Sequence, residues 1–404
     1  MFPLKYTIAV LVGVYILIVR SLRYRRCKSI QSKFSSRPLS SMTAKEAHGI
    51  FRELRELEFP YSLHNSMGIA LLKTSAIPTI AKLLSATGQL SEKNASKRGA
   101  DTEIILMEAH DREPGSDSHL NAIARMNYLH ARYRKAGKIL DEDMLHTLGS
   151  PVVEIIRAVN DNEWRTLSEV EICAVGVFHK CLGEAMEIPF TLLPSSKTGW
   201  KDGAHFAREL YDWTLEYEHA VANPTHSTVT LGRRFLDIPM FNVPTFLRPV
   251  AEGIVGTKLD RHMRVSMGFP DPGYAIQGLA MTIKIIRPFI LRHFSVPRPE
   301  FMAVHALNES PDPVSGMYTI NFYTAHPWYV KPTAKHRWGL RSWFIRLFGS
   351  GIVPGTSSGL YRESGYDLKS IGPAAQEKKG AAEMEETVER LRKGNYASAC
   401  PFAV

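Results

Sequence analysis

Apolar residues recur at every third or fourth position along most of the chain, which is the spacing of amphipathic helices. Between residues 43 and 57 they follow Thr43, a predicted N-cap, with Glu46 at the matching capping-box position. Further helices are predicted over residues 66–74, 77–87, 101–110, 117–135, 168–185, 203–222, 247–255, 259–267, 275–294 and 383–393, and one begins at Asp141. Short strands are predicted only within 301–323 and 328–332. The pattern therefore predicts a mainly α fold.

The N-terminal segment breaks this pattern, because Met1 to Val19 is almost uniformly apolar and carries one charge, Lys5. A membrane span needs about 17–25 such residues, and a basic run that includes Arg20 and Arg26 follows. A cleaved signal peptide would instead carry positive charge before the apolar run and small residues after it. The segment therefore predicts an uncleaved, single-pass anchor. The positive-inside rule places its N-terminus in the lumen and the body in the cytosol, and its short length suits the endoplasmic reticulum (ER) membrane.

Composition divides the chain further. Residues 1–28 are predicted to form the anchor and its basic flank, 29–42 a linker, 43–348 a single large helical domain, and 349–404 a loosely structured tail with a short helix. The net charge is +10, and its basic clusters suit an anionic membrane surface. The sequence has no zinc-finger spacing, RNA-binding aromatic signature or recognition-helix motif, so nucleic acid is not predicted as a partner.

Several catalytic motifs are missing from the sequence. It has no GxGxxG before a helix, no P-loop, no HExxH and no nucleophile elbow between a strand and a helix. The Gly/Ser-rich stretch 355–359 lacks those flanking elements and is predicted to be a plain loop. None of the four cysteines lies in a haem-binding loop, so a thiolate-ligated haem is not expected.

His130 is the first candidate for chemistry. It shares the apolar face of its predicted helix with Ile123 and Met126, and an imidazole on an apolar wall can bind a metal or a haem iron. A core histidine bonded to a backbone carbonyl would give the same pattern. Arg98 and Thr102 are four residues apart and therefore share a helix face, where they could steer bound oxygen or simply form a surface capping cluster.

Other histidines are further candidates for metal ligands. His146 and His179 lie on apolar helix faces and fit core positions as well as ligands. His110 with Asp111, or His219 with His226, could belong to a non-haem iron site, which needs two histidines and a carboxylate brought together in space. Their spacing is not diagnostic, so the residues alone leave these alternatives open.

Three motifs carry a resemblance to a known family. They are Lys97-Arg98-Gly99-Ala100-Asp101-Thr102, then Leu129-His130-Ala131-Arg132-Tyr133, then the run from Gly137 to Leu148. Matching segments continue at residues 163–168, 193–199, 329–333, 337–339 and 400–402. With these motifs and its N-terminal anchor, the chain resembles the fungal MpaB-type ER-bound oxygenases over nearly its whole length, and more distantly the latex-clearing rubber oxygenases.

The resemblance implies a helical, haem b-binding oxygenase that uses O₂. It places the axial iron ligand on His130 and a distal cluster on Arg98, Asp101 and Thr102. Arg98 would stabilise negative charge that develops on dioxygen, while Asp101 and Thr102 would position or relay protons. The sequence departs from the rubber oxygenases at Asp101, where they have a lysine, which puts that acid–base role in doubt. Two further departures, at Gly99 and His146, fall near the same motifs.

The implied reaction is oxidative cleavage of a carbon–carbon double bond in a prenyl or terpenoid chain during secondary-metabolite biosynthesis. A membrane anchor suits such a lipophilic substrate, and other enzymes of the pathway are candidate partners. Two alternatives stay open: a haem oxidase of the same family with another task, such as hydroxylation or cyclisation, and a non-catalytic, membrane-anchored binding protein.

Overall fold

The computed structural model describes residues 4–91, 94–356, 359–394, 396 and 401–402, so Cys400 of the last motif and part of the loop 355–359 lie outside the described residues. The α-helices within it are α1 (Leu4–Ser32), α2 (Ala44–Glu53), α3 (Pro60–Thr74), α4 (Pro78–Ala86), α5 (Ala95–Asp111), α6 (Asp117–Lys135), α7 (Asp141–Asn162), α8 (Glu169–Ala185), α9 (Gly203–Val221), α10 (His226–Met240), α11 (Arg248–Gly256), α12 (Arg261–Ser266), α13 (Tyr274–His293), α14 (Ala334–Trp338), α15 (Leu340–Phe348) and α16 (Ala381–Lys393). The mainly α prediction is confirmed.

The predicted strands do not form in the described part of the chain. Residues 301–332 there hold only isolated bridges, which pair Leu307 with Ile320, Tyr318 with Tyr366, and Ile320 with Val330. Pro and Gly interrupt this stretch too often for a ladder to extend, because proline cannot donate a backbone hydrogen bond. The region instead wraps the helical core as irregular chain.

Local signals start several helices where the sequence places them. Thr43 and Glu46 form the predicted capping box at the start of α2, and Ser116 caps α6 through the backbone N–H of His119. One boundary differs: α3 begins at Pro60, six residues before the predicted start at residue 66. A proline fits the first helical position because the backbone donor that it lacks would be unpaired there anyway.

The centre of the core is α8, which packs on α2, α7 and α9. The closest approach is between Gly176 on α8 and Gly203 on α9, where a Cβ built on Gly176 would lie 1.8 Å from the Gly203 carbonyl oxygen. Only glycine allows two backbones to come so near. On one side of this core α3 packs on α7, and α5 packs on α6. Together α5, α6, α7 and α8 enclose the cavity described below.

The tail after residue 349 differs most from its predicted loose structure. Its described residues enter the main hydrophobic core through buried side chains, namely Val353, Tyr361, Tyr366, Leu368, Ile371, Met384, Val388 and Leu391. Arg125 of α6 is fully buried and donates hydrogen bonds to four tail carbonyls, those of Ser370, Ile371, Gln376 and Lys379. The tail is therefore fastened across α6, and α16 packs on the same helix.

The predicted anchor is one continuous helix, α1, which extends past the predicted linker boundary to Ser32. Its N-terminal half is exposed, and its C-terminal half is docked on the body through Val19, Arg23, Cys27 and Ile30. Among the described helices, α13 is also long and apolar enough to cross a membrane, and α3 with α4 would qualify as a span bent by 83°.

Candidate functional site

Two adjoining cavities open between α5, α6 and α7. The outer one has a volume of about 990 Å³ and the inner one about 150 Å³. Both are lined by Leu71, Arg98, Thr102, Leu129, His130, Met144 and Thr147. The inner cavity continues between aliphatic and methionine side chains of α5 to α8, and the outer volume lies in the range of small-molecule sites. Arg98, Thr102 and His130, which the sequence singled out, therefore meet at the junction of the two cavities.

His130 offers a neutral imidazole to this junction. Burial, together with the nearby charges of Arg98 and Arg134, lowers the pKa of His130 to about 4. Its Nδ1 is buried and has no hydrogen-bond partner among the described residues. The alternative hypothesis, a core histidine bonded to a backbone carbonyl, requires a hydrogen bond that the described contacts of His130 do not include. The lone pair of its unprotonated ring nitrogen is therefore available, as binding to iron requires.

Arg98 and Thr102 hold one another on α5. The Arg98 Nη1 donates to the Thr102 hydroxyl, which in turn donates to the Arg98 carbonyl oxygen at 2.8 Å. Burial lowers the pKa of the Arg98 guanidinium, and the nearby Asp101 and Tyr133 partly offset this decrease. No carboxylate of the described chain lies within ion-pairing distance of Arg98. A partly buried cation without an ion-pair partner is costly, so the cavity is suited to a ligand that carries or develops negative charge.

Asp101 lies away from the cavity, although it is on the same helix. Its side chain is almost completely buried, with Oδ2 bound by Lys97 at 2.7 Å and Oδ1 by the Tyr329 hydroxyl at 2.7 Å. Burial raises the pKa of Asp101, and Lys97 counteracts this effect. The structure thus separates Asp101 from Arg98 and Thr102, with which the sequence grouped it.

His110 and His179 line the inner cavity, and their rings form the same kind of hydrogen bond. Each Nδ1–H donates to the carbonyl four residues earlier, Leu106 for His110 at 2.7 Å and Val175 for His179 at 2.8 Å. This bonding leaves each Nε2 as an acceptor, and both Nε2 atoms are buried without a partner in the described structure. Burial lowers the pKa of His110 to about 3 and that of His179 to about 4. Histidines that bind metals commonly hold the second nitrogen this way, so these two are further ligand candidates.

The other histidine candidates have different surroundings. His146 Nε2 contacts Glu218 at 3.1 Å, and Glu218 also binds Lys73 at 2.7 Å. Glu218, Asp260 and His262 come close enough to share a metal ion. Asp260, however, is already paired with Arg157 at 2.7 Å, so cations of the chain neutralise both carboxylates. His219 lies against the His262 ring, and neither His219 nor His226 lines the described cavity.

Some of the cavity wall was missed by the sequence analysis. Pro373, Ala375 and Gln376 of the tail line the outer cavity, although composition predicted a loose segment there. Basic side chains from the end of α6 and the loop after it lie at the same opening, namely Arg132, Arg134, Lys135 and Lys138.

Similarity to known proteins identifies the family of this chain. No protein-family model matches it. It is 34% identical over 392 residues to the ER-bound oxygenase mpaB' of Penicillium brevicompactum, a match that covers 96% of this chain and 92% of the relative. It is also 35% identical over 347 residues to the ER-bound oxygenase mpaB of the same organism, with 84% of this chain and 81% of the relative covered. The chain belongs to the MpaB family.

A third MpaB relative, the ER-bound oxygenase of Penicillium roqueforti, is 37% identical over 257 residues, which cover 63% of this chain and 86% of the relative. Membership in the MpaB family supports the assignment of this chain as an oxygenase, and hence an oxidoreductase. The relatives are named ER-bound, which agrees with the apolar N-terminal helix α1.

Proposed function

We propose that this chain is a membrane-anchored, haem-dependent oxygenase that cleaves a carbon–carbon double bond in a prenyl or terpenoid chain. The observation that carries the proposal is the meeting of Arg98, Thr102 and His130 in one largely apolar cavity. A neutral imidazole that could hold a haem iron and a guanidinium without an ion-pair partner line the same space there.

The cavity residues fit haem b in three respects. The imidazole of His130 has a buried, unpartnered nitrogen and stays neutral because burial lowers its pKa to about 4. The wall area is mainly apolar. At the opening, basic side chains that include Arg132 and Lys138 outnumber Glu187 and Glu383, which suits the two carboxylates of the group. We therefore assign His130 as the residue that would hold the haem iron, with His179 as the alternative because its Nδ1–H is already bonded to a carbonyl. Haem, when bound, would supply the iron that activates O₂.

The remaining chemistry is assigned to side chains of this protein. Arg98 would place its charge where oxygen gains negative charge, in a largely apolar site. Thr102 would keep the guanidinium in position through its hydrogen bond. The aliphatic lining would hold the hydrocarbon chain of the substrate by the hydrophobic effect. Asp101, which is bound by Lys97 and Tyr329, would position α5.

The reaction balances with O₂ as its only co-substrate. Adding one oxygen atom to each carbon of the double bond breaks that bond and leaves two carbonyl groups. The test uses the full-length chain in detergent, loaded with haem, together with prenylated and linear terpenoid probes of increasing length and isotopically labelled O₂. We expect chain-shortened carbonyl products that carry the label and a loss of about 10²–10³-fold in rate for Arg98→Met. Products without the label, or equal rates for the unsubstituted chain and Arg98→Met, would contradict the proposal.

A further inference from the structure

The polarity of α13 is inverted relative to that of an ordinary surface helix. Its charged residues Lys284 and Arg287 face the body, where Arg287 binds Glu163 at 2.8 Å and the Asn162 carbonyl at 2.7 Å. No residue of the helix is buried. Its outward faces carry large apolar side chains that are 43–64% exposed, namely Leu279, Met281, Ile283, Ile285, Ile286, Phe289 and Ile290. A water-exposed helix shows the opposite arrangement.

Contacts with the anchor helix fix where α13 ends. The Tyr15 hydroxyl, within the apolar stretch of α1, donates to the carbonyl of Phe294 at 2.8 Å. Two turns further along α1, Arg23 binds the Ser295 carbonyl at 2.8 Å. The end of α13 therefore lies at the level of the apolar part of α1. If Tyr15 is in the bilayer, the residues bonded to it are there too.

A second exposed apolar helix lies near α13. Arg287 of α13 stacks on Tyr61 at the start of α3, and Arg341 of α15 stacks on Phe322, which packs on His64 one turn further along α3. These contacts bring α13 and α15 to the same end of α3. The exposed apolar side chains of α15 are Leu340, Trp343, Phe344, Leu347 and Phe348. Aromatic side chains of this kind are enriched where proteins meet the membrane interface.

From these observations we infer that a three-helix surface holds the protein on the membrane: α13 is embedded in the lipid bilayer beside α1, and α15 lies at the interface. The occupant of the exposed apolar face is lipid. Arg292, Arg298 and Arg346 near these helices would then meet anionic headgroups. The chain would be anchored by a span together with a lipid-facing helix of the catalytic body, which keeps that body on the membrane where lipophilic substrates concentrate.

The test uses the full-length chain in vesicles of phosphatidylcholine and phosphatidylinositol. Single cysteines are introduced as Ile285→Cys on α13, Leu11→Cys on α1 as the lipid reference, and Glu386→Cys on α16 as the exposed reference. Each is first exposed to a membrane-impermeant maleimide, and labelling of the unsubstituted chain is subtracted. In parallel, each is labelled with an environment-sensitive fluorophore, and its quenching by nitroxide-bearing lipids is measured.

For Ile285→Cys we expect maleimide labelling about tenfold slower than for Glu386→Cys, together with quenching by lipid nitroxides close to that of Leu11→Cys. Labelling as fast as at residue 386 would overturn the inference, because α13 would then be in water. Slow labelling without lipid quenching would overturn it as well, since a second protein copy would then cover the face. Neither readout depends on haem or on turnover.

Discussion

The Tyr329 hydroxyl donates a 2.7 Å hydrogen bond to Asp101, across the buried junction between the loop before α14 and α5. Lys97 binds the second carboxylate oxygen at 2.7 Å. Both oxygens are thus engaged outside the cavity, while Arg98 and Thr102 on the same helix line it. This pair therefore fixes the rotation of α5, on which the direction of the Arg98 side chain depends.

Substitution of Asp101 separates a positioning role from a proton relay. Asp101→Asn keeps an acceptor for Tyr329, so we expect turnover within about tenfold of the natural chain and an unchanged pH profile. A general acid or base would cost about 10²–10⁴-fold, and a loss of that size with an altered pH profile would contradict the positioning role. Tyr329→Phe should lower the free energy of unfolding by about 1–2 kcal/mol, measured by urea denaturation.

Thr102 can be tested with a matched substitution in the same cavity. Thr102→Val removes the hydroxyl that binds Arg98, and we expect about 10- to 100-fold slower turnover because the guanidinium loses its position. Thr147→Val is the control: Thr147 also lines the cavity, but its hydroxyl donates to the Asp143 carbonyl. Equal losses of turnover in the two variants would contradict this role, because they would show that turnover depends on the shape of the cavity wall and not on the hydrogen bond to Arg98. Haem content should stay unchanged in both.

Glu103 makes stability depend on pH. Burial raises its pKa to about 7 from 4.5, and no cation compensates this effect. Between these two values the unfolded chain loses its proton while the folded chain keeps it, so stability falls as pH rises. One pKa unit is worth about 1.4 kcal/mol, which makes the full effect about 3 kcal/mol.

Glu103→Gln should therefore stabilise the fold above pH 7, by up to about 3 kcal/mol, and have little effect near pH 4.5. Thermal unfolding across this range provides the measurement, with Glu386→Gln on the exposed face of α16 as control. A stability gain that does not change with pH would rule out the titration of Glu103 as its cause.

Arg125 fastens the tail to the helix that carries His130. Arg125→Met would leave tail carbonyls without donors, and we expect a loss of about 3 kcal/mol or more in unfolding free energy. Limited proteolysis should then cut the tail first, whereas Arg208→Met, at an exposed position of α9 away from the cavity, should resemble the natural chain. Because Gln376 lines the cavity, KM for the substrate should also rise. A variant as resistant to protease as the control would contradict this role.

Much of the helical core could be predicted because its signals are local. The capping boxes at Thr43 and Ser168 and the apolar stripes of α6 and α8 depend on neighbouring residues alone. The helix α10 was not predicted from the sequence, because His226–Met240 contains several threonines and arginines and has Pro239 next to its last residue. Its capping box uses Thr225 and Thr228, a pair without the usual acidic partner.

The parts that could not be predicted depend on distant contacts. Nothing in the local sequence indicates that Ile371 and its neighbours accept hydrogen bonds from Arg125, about 246 positions away. The same limit applies to the site. Helical spacing put Arg98, Asp101 and Thr102 in one short segment, but only the position of Tyr329 decides that Asp101 faces away from the cavity. His110 and His179 could be noticed as apolar-face histidines, although their meeting in the inner cavity required the fold.

The most direct test of the central claim is the absorption spectrum of the purified, haem-supplemented full-length chain beside its histidine variants. His130→Ala should lose most of the Soret absorption, while His119→Gln, a buried change on the same helix but off the cavity, should keep it. Loss in His179→Ala with a normal spectrum in His130→Ala would move the iron ligand to α8. The absence of a Soret band from every chain, the unsubstituted one included, would contradict the haem oxygenase account itself.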